Sequence, residues 1–390
     1  MAELVIAALR REGNRLVCEV NDPEKGQYSI WVETESDYSS FLCDDRADGF
    51  FTICLYRAIK EGYNLRSLVP VSERLYYQAS TYLLNFYSEI FGKEKIRISS
   101  PITCSPIPIG KAVGTGISCG VDSLYTVLEH TGISTEHYNV THLVLLNVGA
   151  YHIASEDPEV MFEIEIARAR KFCNQYGYSF VKVDSNIREY LPYSFTEYHG
   201  IVNGSTILTL QSLFRIYYSS SSYRISEFKV DKMDLSHVEL FNLSVLSTDN
   251  TVFYTTGGEV SRFDKVKALA KWSPSYDTLH VCNSHSKNCS DYRCVKCCRT
   301  LLELDAIDAL DNYKTVFDVD KYRSNLNNYL AEFWARKVLR HDHYAIEMWP
   351  ELTRKYRIPI GAKVFALVRF IFYRLKIYNI KTIKELIKSR

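Results

Sequence analysis

At 390 residues, with 46% apolar and 24% charged side chains and a formal net charge of +1, the chain is longer than one hydrophobic core supports and has the balance of a globular protein. Two or three packed units are expected, and the overall charge singles out no partner. The opening MAELVIAALRREGNRL has no basic stretch ahead of its apolar patch and no small-residue cleavage site behind it, so secretion is not expected. The longest apolar run, Ala362 to Ile377, is broken by Arg369, Arg374 and Lys376, which argues against a membrane span. Eleven cysteines then point to thiols and metal ligands in a reducing cytoplasm rather than to a disulfide framework.

The first elements are strands. Arg15 to Val20 and Tyr28 to Val32 alternate apolar and polar residues on either side of Asn21, Asp22 and Pro23, as a small antiparallel sheet does. From Gly49 to Phe91 the apolar spacing becomes helical, and the Pro-rich stretch Pro101 to Pro108 closes what reads as an N-terminal α+β unit, residues 1–108. Beyond it, strands at Val113–Ser118, Leu143–Val148 and Ser179–Asp184 alternate with helices at Asp122–His130 and Glu159–Tyr176. That alternation predicts an α/β fold with a parallel sheet, which binds ligands at the carboxyl ends of its strands. A polar turn at His199 to Ser205 followed by an apolar helix, Thr206 to Tyr218, is expected next, and residues 313–390 read as a helical, basic C-terminal region.

The string Ser118-Cys119-Gly120-Val121-Asp122-Ser123 falls between a strand and a helix. Small residues there let backbone N–H groups close around an anion, and the helix N-terminus adds its partial positive charge. Ser118 and Ser123 can donate to phosphate oxygens, whereas Asp122 is repelled by phosphate and suits a magnesium ligand or a loop anchor. An ordinary strand-to-helix turn capped by Ser118 or Asp122 would use the same residues. SCGVDS resembles the SGGxDS signature of the PP-loop ATP pyrophosphatases, which cleave ATP between its α and β phosphates. The resemblance implies a PP-loop core over residues 109–312 that binds ATP and magnesium through Ser118, Cys119, Gly120, Val121, Asp122 and Ser123. Cys119 stands where that family has glycine, which matters if the position needs a positive φ.

Between Val281 and Leu302, Cys282, Cys289, Cys294 and Cys297 are spaced C-x6-C-x4-C-x2-C, and Cys298 follows directly. Four thiolates in so short a span can close a tetrahedral zinc site that holds structure and leaves no position open for water. An iron–sulfur cluster would use the same four ligands, His285 is an alternative ligand, and Cys298 is expected to pack as a small hydrophobe. Phosphate loop, cysteine knuckle and the helix beginning KCCRTLLELDAI together resemble the 7-cyano-7-deazaguanine synthase group and its relatives with an NCxxCxKCxRT knuckle. This chain has two more residues between Cys289 and Cys294, and the match leaves residues 1–108 and the basic tail unexplained.

Thr255 to Lys267 sets a glycine pair ahead of a helix start with Arg262 and Lys265 on one face. The resemblance implies a phosphate or substrate role for both, and a solvated face is the plain alternative. Asn147 and Val148, at the end of the second strand of the core, are where the resembling fold would meet adenine through backbone groups. From Glu351 to Arg390 eleven Lys or Arg face two Glu, interleaved with Phe365, Phe370, Phe372 and Tyr373. RNA, an acidic protein face or a membrane surface would each satisfy that field, and so would plain packing of an amphipathic helix.

The expected activity is adenylation of a carboxylate or amide oxygen, on a small molecule or a protein, with release of pyrophosphate and attack by a nitrogen nucleophile. Asp122, Arg262 and Lys265 would be its catalytic residues, and the resemblance implies deazaguanine or antiphage-related chemistry. A tRNA thiolation enzyme, or a nucleotide-binding module without turnover, is the alternative, and the reading admits a homodimer.

Overall fold

The computed structural model describes residues 2–153, 157–282 and 286–372. The chain divides into two compact units, Met1–Ser261 and Arg262–Arg390.

In the first unit β1 (Glu3–Glu12), β2 (Arg15–Asp22) and β3 (Gly26–Thr34) form an antiparallel meander. Ile30 and Val32 of β3 and Leu16, Cys18 and Val20 of β2 are buried, which is the alternation read from the sequence. The helix Asp48–Glu61 follows, then the short strands β4 (Asn64–Ser67), β5 (Val71–Ser72), β6 (Ile98–Ser99) and β7 (Ile102–Thr103). The α/β alternation begins after them. It runs through β8 (Ala112–Gly116), helix Val121–Glu129, β9 (His142–Asn147), helix Pro158–Tyr176, β10 (Ser179–Ser185), helix Phe195–Leu208, β11 (Phe214–Ser220), helix Glu239–Ser244 and β12 (Val252–Thr256).

Ten of these strands make one sheet in the order β12-β11-β8-β9-β10-β3-β2-β1-β4-β6, while β5 and β7 pair separately. Strands β12 to β10 are parallel to their neighbours, β10 to β1 antiparallel, and β1, β4 and β6 parallel again. The N-terminal meander therefore continues the sheet of the α/β core through the β3–β10 pair. Within the parallel part the chain steps from β8 outward to β9 and β10, then crosses back to lay β11 and β12 on the other side of β8. Strand order reverses between β8 and β11, and at such a switch point the two crossovers leave the sheet in opposite directions and open a crevice at the carboxyl ends.

The helices Asp48–Glu61 and Phe195–Leu208 lie so close that a Cβ on Gly49 would stand 2.3 Å from the Ser205 carbonyl oxygen. Thr52 and Ser205 share a hydroxyl hydrogen bond of 2.6 Å at the same crossing. His199 to Ser205 is thus not a turn but the interior of a helix; Gly49 of the facing helix admits this approach, while Gly204 lies against Leu243 and Leu246. The expected helix Thr206 to Tyr218 is likewise corrected: helix ends at Leu208 and Phe214-Arg-Ile-Tyr-Tyr-Ser-Ser220 is β11. A continuous apolar run fits a strand buried on both faces as well as it fits a helix, and here the aromatic and β-branched content decides.

The second unit holds helices Arg262–Leu269, Val295–Ala306, Val319–Ser324, Leu326–Leu339 and His343–Lys355 and a helix over 360–372. Among the described residues it contains no strand. No helix among the described residues is long and apolar enough to cross a membrane.

Candidate functional site

Strand β8 delivers the serine loop to the switch point. Its five residues end at Gly116, and the Ile117 N–H still bonds to the Val144 carbonyl at 2.9 Å, so the chain leaves the sheet only at Ser118. The turn then closes on its own hydroxyls. Ser123 Oγ accepts from the Ser118 N–H at 3.3 Å, lies 3.1 Å from Ser118 Oγ and donates to the Gly120 carbonyl at 3.2 Å. Gly120 N–H in turn reaches Ser118 Oγ at 3.4 Å. Helix Val121–Glu129 starts directly afterwards, and the first-turn N–H groups of a helix have no partner within it. Ser118 is exposed, Gly120 and Asp122 half-buried, and Val121 and Ser123 buried.

Cys119 adopts φ 53°, a left-handed conformation that costs little only for glycine. Its side chain is fully buried, and burial pushes the thiol well above its ordinary range, so the thiolate nucleophile is suppressed. The departure from glycine exchanges backbone ease for apolar burial. Cys119→Gly is accordingly expected to change stability in urea by less than ~1 kcal/mol, whereas β-branched Cys119→Val should cost ~1–3 kcal/mol.

Asn147 and Val148 stand at the end of β9, the neighbour of β8 in the sheet. Asn147 Nδ2 donates to Asp184 Oδ1 at 2.9 Å, and its carbonyl accepts from Ser185 Oγ at 2.8 Å. These bonds tie β9 to β10. Val148 is buried in the main core.

Arg262 and Lys265 belong to the other compact unit, in the first turn of Arg262–Leu269, and both are buried. Arg262 Nη2 donates to Thr300 Oγ1 at 3.3 Å and its Nε lies 3.5 Å from Glu303 Oε1. Neither residue stands on a solvated face, and Arg262 is held by the helix that carries Cys297.

The four cysteines converge. The thiol sulfurs of Cys282, Cys289, Cys294 and Cys297 all lie within 4.8 Å of one another, with Cys289 and Cys297 at 3.5 Å. A tetrahedral ion with metal–sulfur bonds of about 2.3 Å needs sulfur separations of about 3.8 Å, so the group can hold a metal such as zinc. The sequence builds this locally. Asn288 Oδ1 accepts from the N–H groups of Val281 and Cys282 at 2.8 and 3.2 Å, fixing the first ligand beside the second. Ser290 turns the chain with φ 44°, Lys321 Nζ holds the Cys289 carbonyl at 2.9 Å, and Cys294 caps helix Val295–Ala306. A helix N-terminus favours thiolate, and a hydrogen bond from Cys297 brings Cys294 down to about 5. Cys298 is fully buried outside the group, as expected of a small hydrophobe. His285 lies outside the described residues, as does the tail beyond 372.

One feature of the first unit escaped the sequence. A cleft of ≈ 430 Å³ opens among Glu129, His130, Tyr138, Tyr218, Tyr254 and Glu259. His130 stacks on Tyr218 with ring centres 3.8 Å apart and planes 9° apart, and Tyr218 stands 6.0 Å from Tyr254. Burial lowers the His130 pKa against the raising pull of Glu259, and burial raises Tyr218 to about 12, so both rings are neutral near pH 7. Among the described residues, none of those lining the space is a lysine or arginine. With Tyr218 placed in a helix, nothing in the sequence brings it beside Tyr254, its partner across β11 and β12. Thr256, also on this cleft, shares a 3.0 Å hydrogen bond with Thr126 of the helix that begins at the serine loop.

Comparison with protein-family models, with curated proteins and with solved structures gives no match. What defines the chain is the α/β fold with a serine loop at its switch point and a separate four-cysteine group able to hold a metal.

Proposed function

We propose that the chain is an ATP pyrophosphatase-type ligase of the PP-loop kind, which adenylates a carboxylate or amide oxygen and passes the activated carbon to a nitrogen nucleophile. The observation that carries this reading is the position of Ser118 to Ser123, at the reversal of strand order and the start of a helix, where α/β sheets bind phosphates. Ser118 and Ser123, which bond only to one another and to the turn among the contacts described above, would turn their hydroxyls to the phosphate oxygens. Asp122 would hold magnesium, which neutralises charge on the leaving pyrophosphate.

In the proposed reaction the substrate oxygen attacks the α-phosphorus, the bond to the bridging oxygen breaks, and pyrophosphate leaves. The nitrogen nucleophile then adds to the activated carbon, AMP departs with the former substrate oxygen, and the displaced proton passes to solvent. The cleft, walled by aromatic rings and two carboxylates, suits a cationic or flat aromatic ligand better than a phosphate. Zinc on Cys282, Cys289, Cys294 and Cys297 would serve structure, since four thiolates leave it no open position.

Purified protein incubated with α-labelled ATP and magnesium should yield AMP and pyrophosphate, with a loss of at least ~100-fold in Asp122→Ala and Ser123→Ala. ADP as product would mean another kind of ATPase. No turnover with retained nucleotide binding would mean a binding module, and iron in place of zinc would favour thiolation.

A further inference from the structure

The helix over 360–372 in the second unit has two unlike faces. Ala362 and Ala366 pack on Ala331 and Ala335 of helix Leu326–Leu339, with Trp334 and Leu339 alongside. Small residues bring the two helices close, and Arg369 adds a 3.7 Å ion pair to Glu332, so the helix is seated along one side. The opposite side follows the same helical spacing with large apolar residues. Val364, Phe365, Leu367, Val368, Ile371 and Phe372 are between 41 and 68% exposed, in a stripe without a charged residue among them.

A contiguous apolar face of this kind marks an interaction site, and the sequence says of what sort. From residue 373 to Arg390 the chain carries six Lys or Arg and one Glu. A second copy of the chain would bring the same positive charge to the contact, and a nucleic acid would gain nothing from the six apolar side chains. An anionic lipid surface satisfies both features, taking the apolar stripe below its headgroups and the cations among them. Over its described residues the helix is not long and apolar enough to cross a bilayer. We infer that helix 360–372 docks the second unit on anionic membrane surfaces, lying in the interface with Phe365, Val368 and Phe372 inward.

The test is co-sedimentation of the full chain with vesicles of phosphatidylcholine alone or mixed with phosphatidylserine. Binding to the mixed vesicles is expected to be at least ~10-fold tighter than to the neutral ones, and to weaken as salt is raised. Phe365→Asp/Val368→Asp should abolish it, with the helical circular dichroism and metal content of the protein unchanged. Wild-type protein that ignores both vesicle types would overturn the inference. So would a dimer in light scattering that the same double variant dissociates, or tight RNA binding that it leaves intact.

Discussion

Cys297→Ser is expected to strip the second unit of its metal and to unfold the segment around it. Cys297 is fully buried in the first turn of helix Val295–Ala306, and its thiol approaches that of Cys289 across a loop. Among the described contacts, that loop is held by Asn288, by Lys321 and by the hydrogen bond from the Asp318 N–H to Ser290 Oγ at 2.9 Å. Without the metal, three remaining thiols are left partly buried with no common partner. Structural zinc in small metal-binding peptides contributes ~10–16 kcal/mol of apparent binding free energy. Even a fraction of that, on the order of 5 kcal/mol, exceeds what most of a unit's other single contacts supply. Elemental analysis should find one metal per chain in the wild type and less than about a tenth of that in the variant. Heating should show an early transition for the variant that a strong chelator reproduces in the wild type. A wild type without metal, melting as the variant does, would show that the thiols serve only as packing.

The second large effect lies in the first unit, where Arg57→Met should cost ~3–5 kcal/mol. Arg57 and Asp22 are both buried, with Arg57 Nε 2.5 Å from Asp22 Oδ2 and Nη2 3.1 Å from Oδ1. Tyr190 donates to the same carboxylate at 3.2 Å, and the backbone N–H groups of Glu24 and Lys25 do so at 2.9 and 3.0 Å. Burial alone would raise the Asp22 pKa, but the hydrogen bonds from Arg57, Lys25 and Glu24 outweigh it and hold the carboxyl below its ordinary value. Burial alone would lower Arg57, and Asp22 raises it instead. Removing the guanidinium leaves a buried anion without its counter-charge, whereas Asp22→Asn/Arg57→Met removes both charges and should recover ~1–3 kcal/mol of the loss. Because the folded-state pKa of Asp22 is depressed, its contribution is present above the unfolded value near 3.9 and is lost as pH falls through the folded value. Urea unfolding from neutral to acid pH should therefore show the wild type losing its margin over the double variant in acid. A double variant no more stable than Arg57→Met would show that the pair's geometry, not its charge, matters.

The parallel core was legible because its elements are long and strongly patterned. Strands β8, β9 and β10 and the helices Val121–Glu129 and Pro158–Tyr176 start and stop within about two residues of the expected positions. The cysteine group was legible from ligand spacing alone, because four thiols within sixteen residues of chain cannot avoid one another once a turn closes. What stayed hidden depends on partners far along the chain. That β3 joins β10 is written in no local pattern, nor is the burial of Arg262 and Lys265, whose positions in a helix's first turn look the same exposed or buried. Phe214 to Ser220 was misread for a related reason: when both faces are covered, the two-residue alternation that announces a strand disappears.

The join between β3 and β10 sets an order on how the chain matures. Thr34 pairs with Val183, about 150 residues later, and at ordinary synthesis rates of ~5–20 residues per second that stretch takes roughly ten to thirty seconds to emerge. Through that interval β3 presents an open row of backbone donors and acceptors to whatever strand it meets first. Nascent chains paused short of residue 185 therefore leave the β3 edge open to pairing with one another, and ribosome-bound chaperones would find a substrate in the meander before the sheet has a middle.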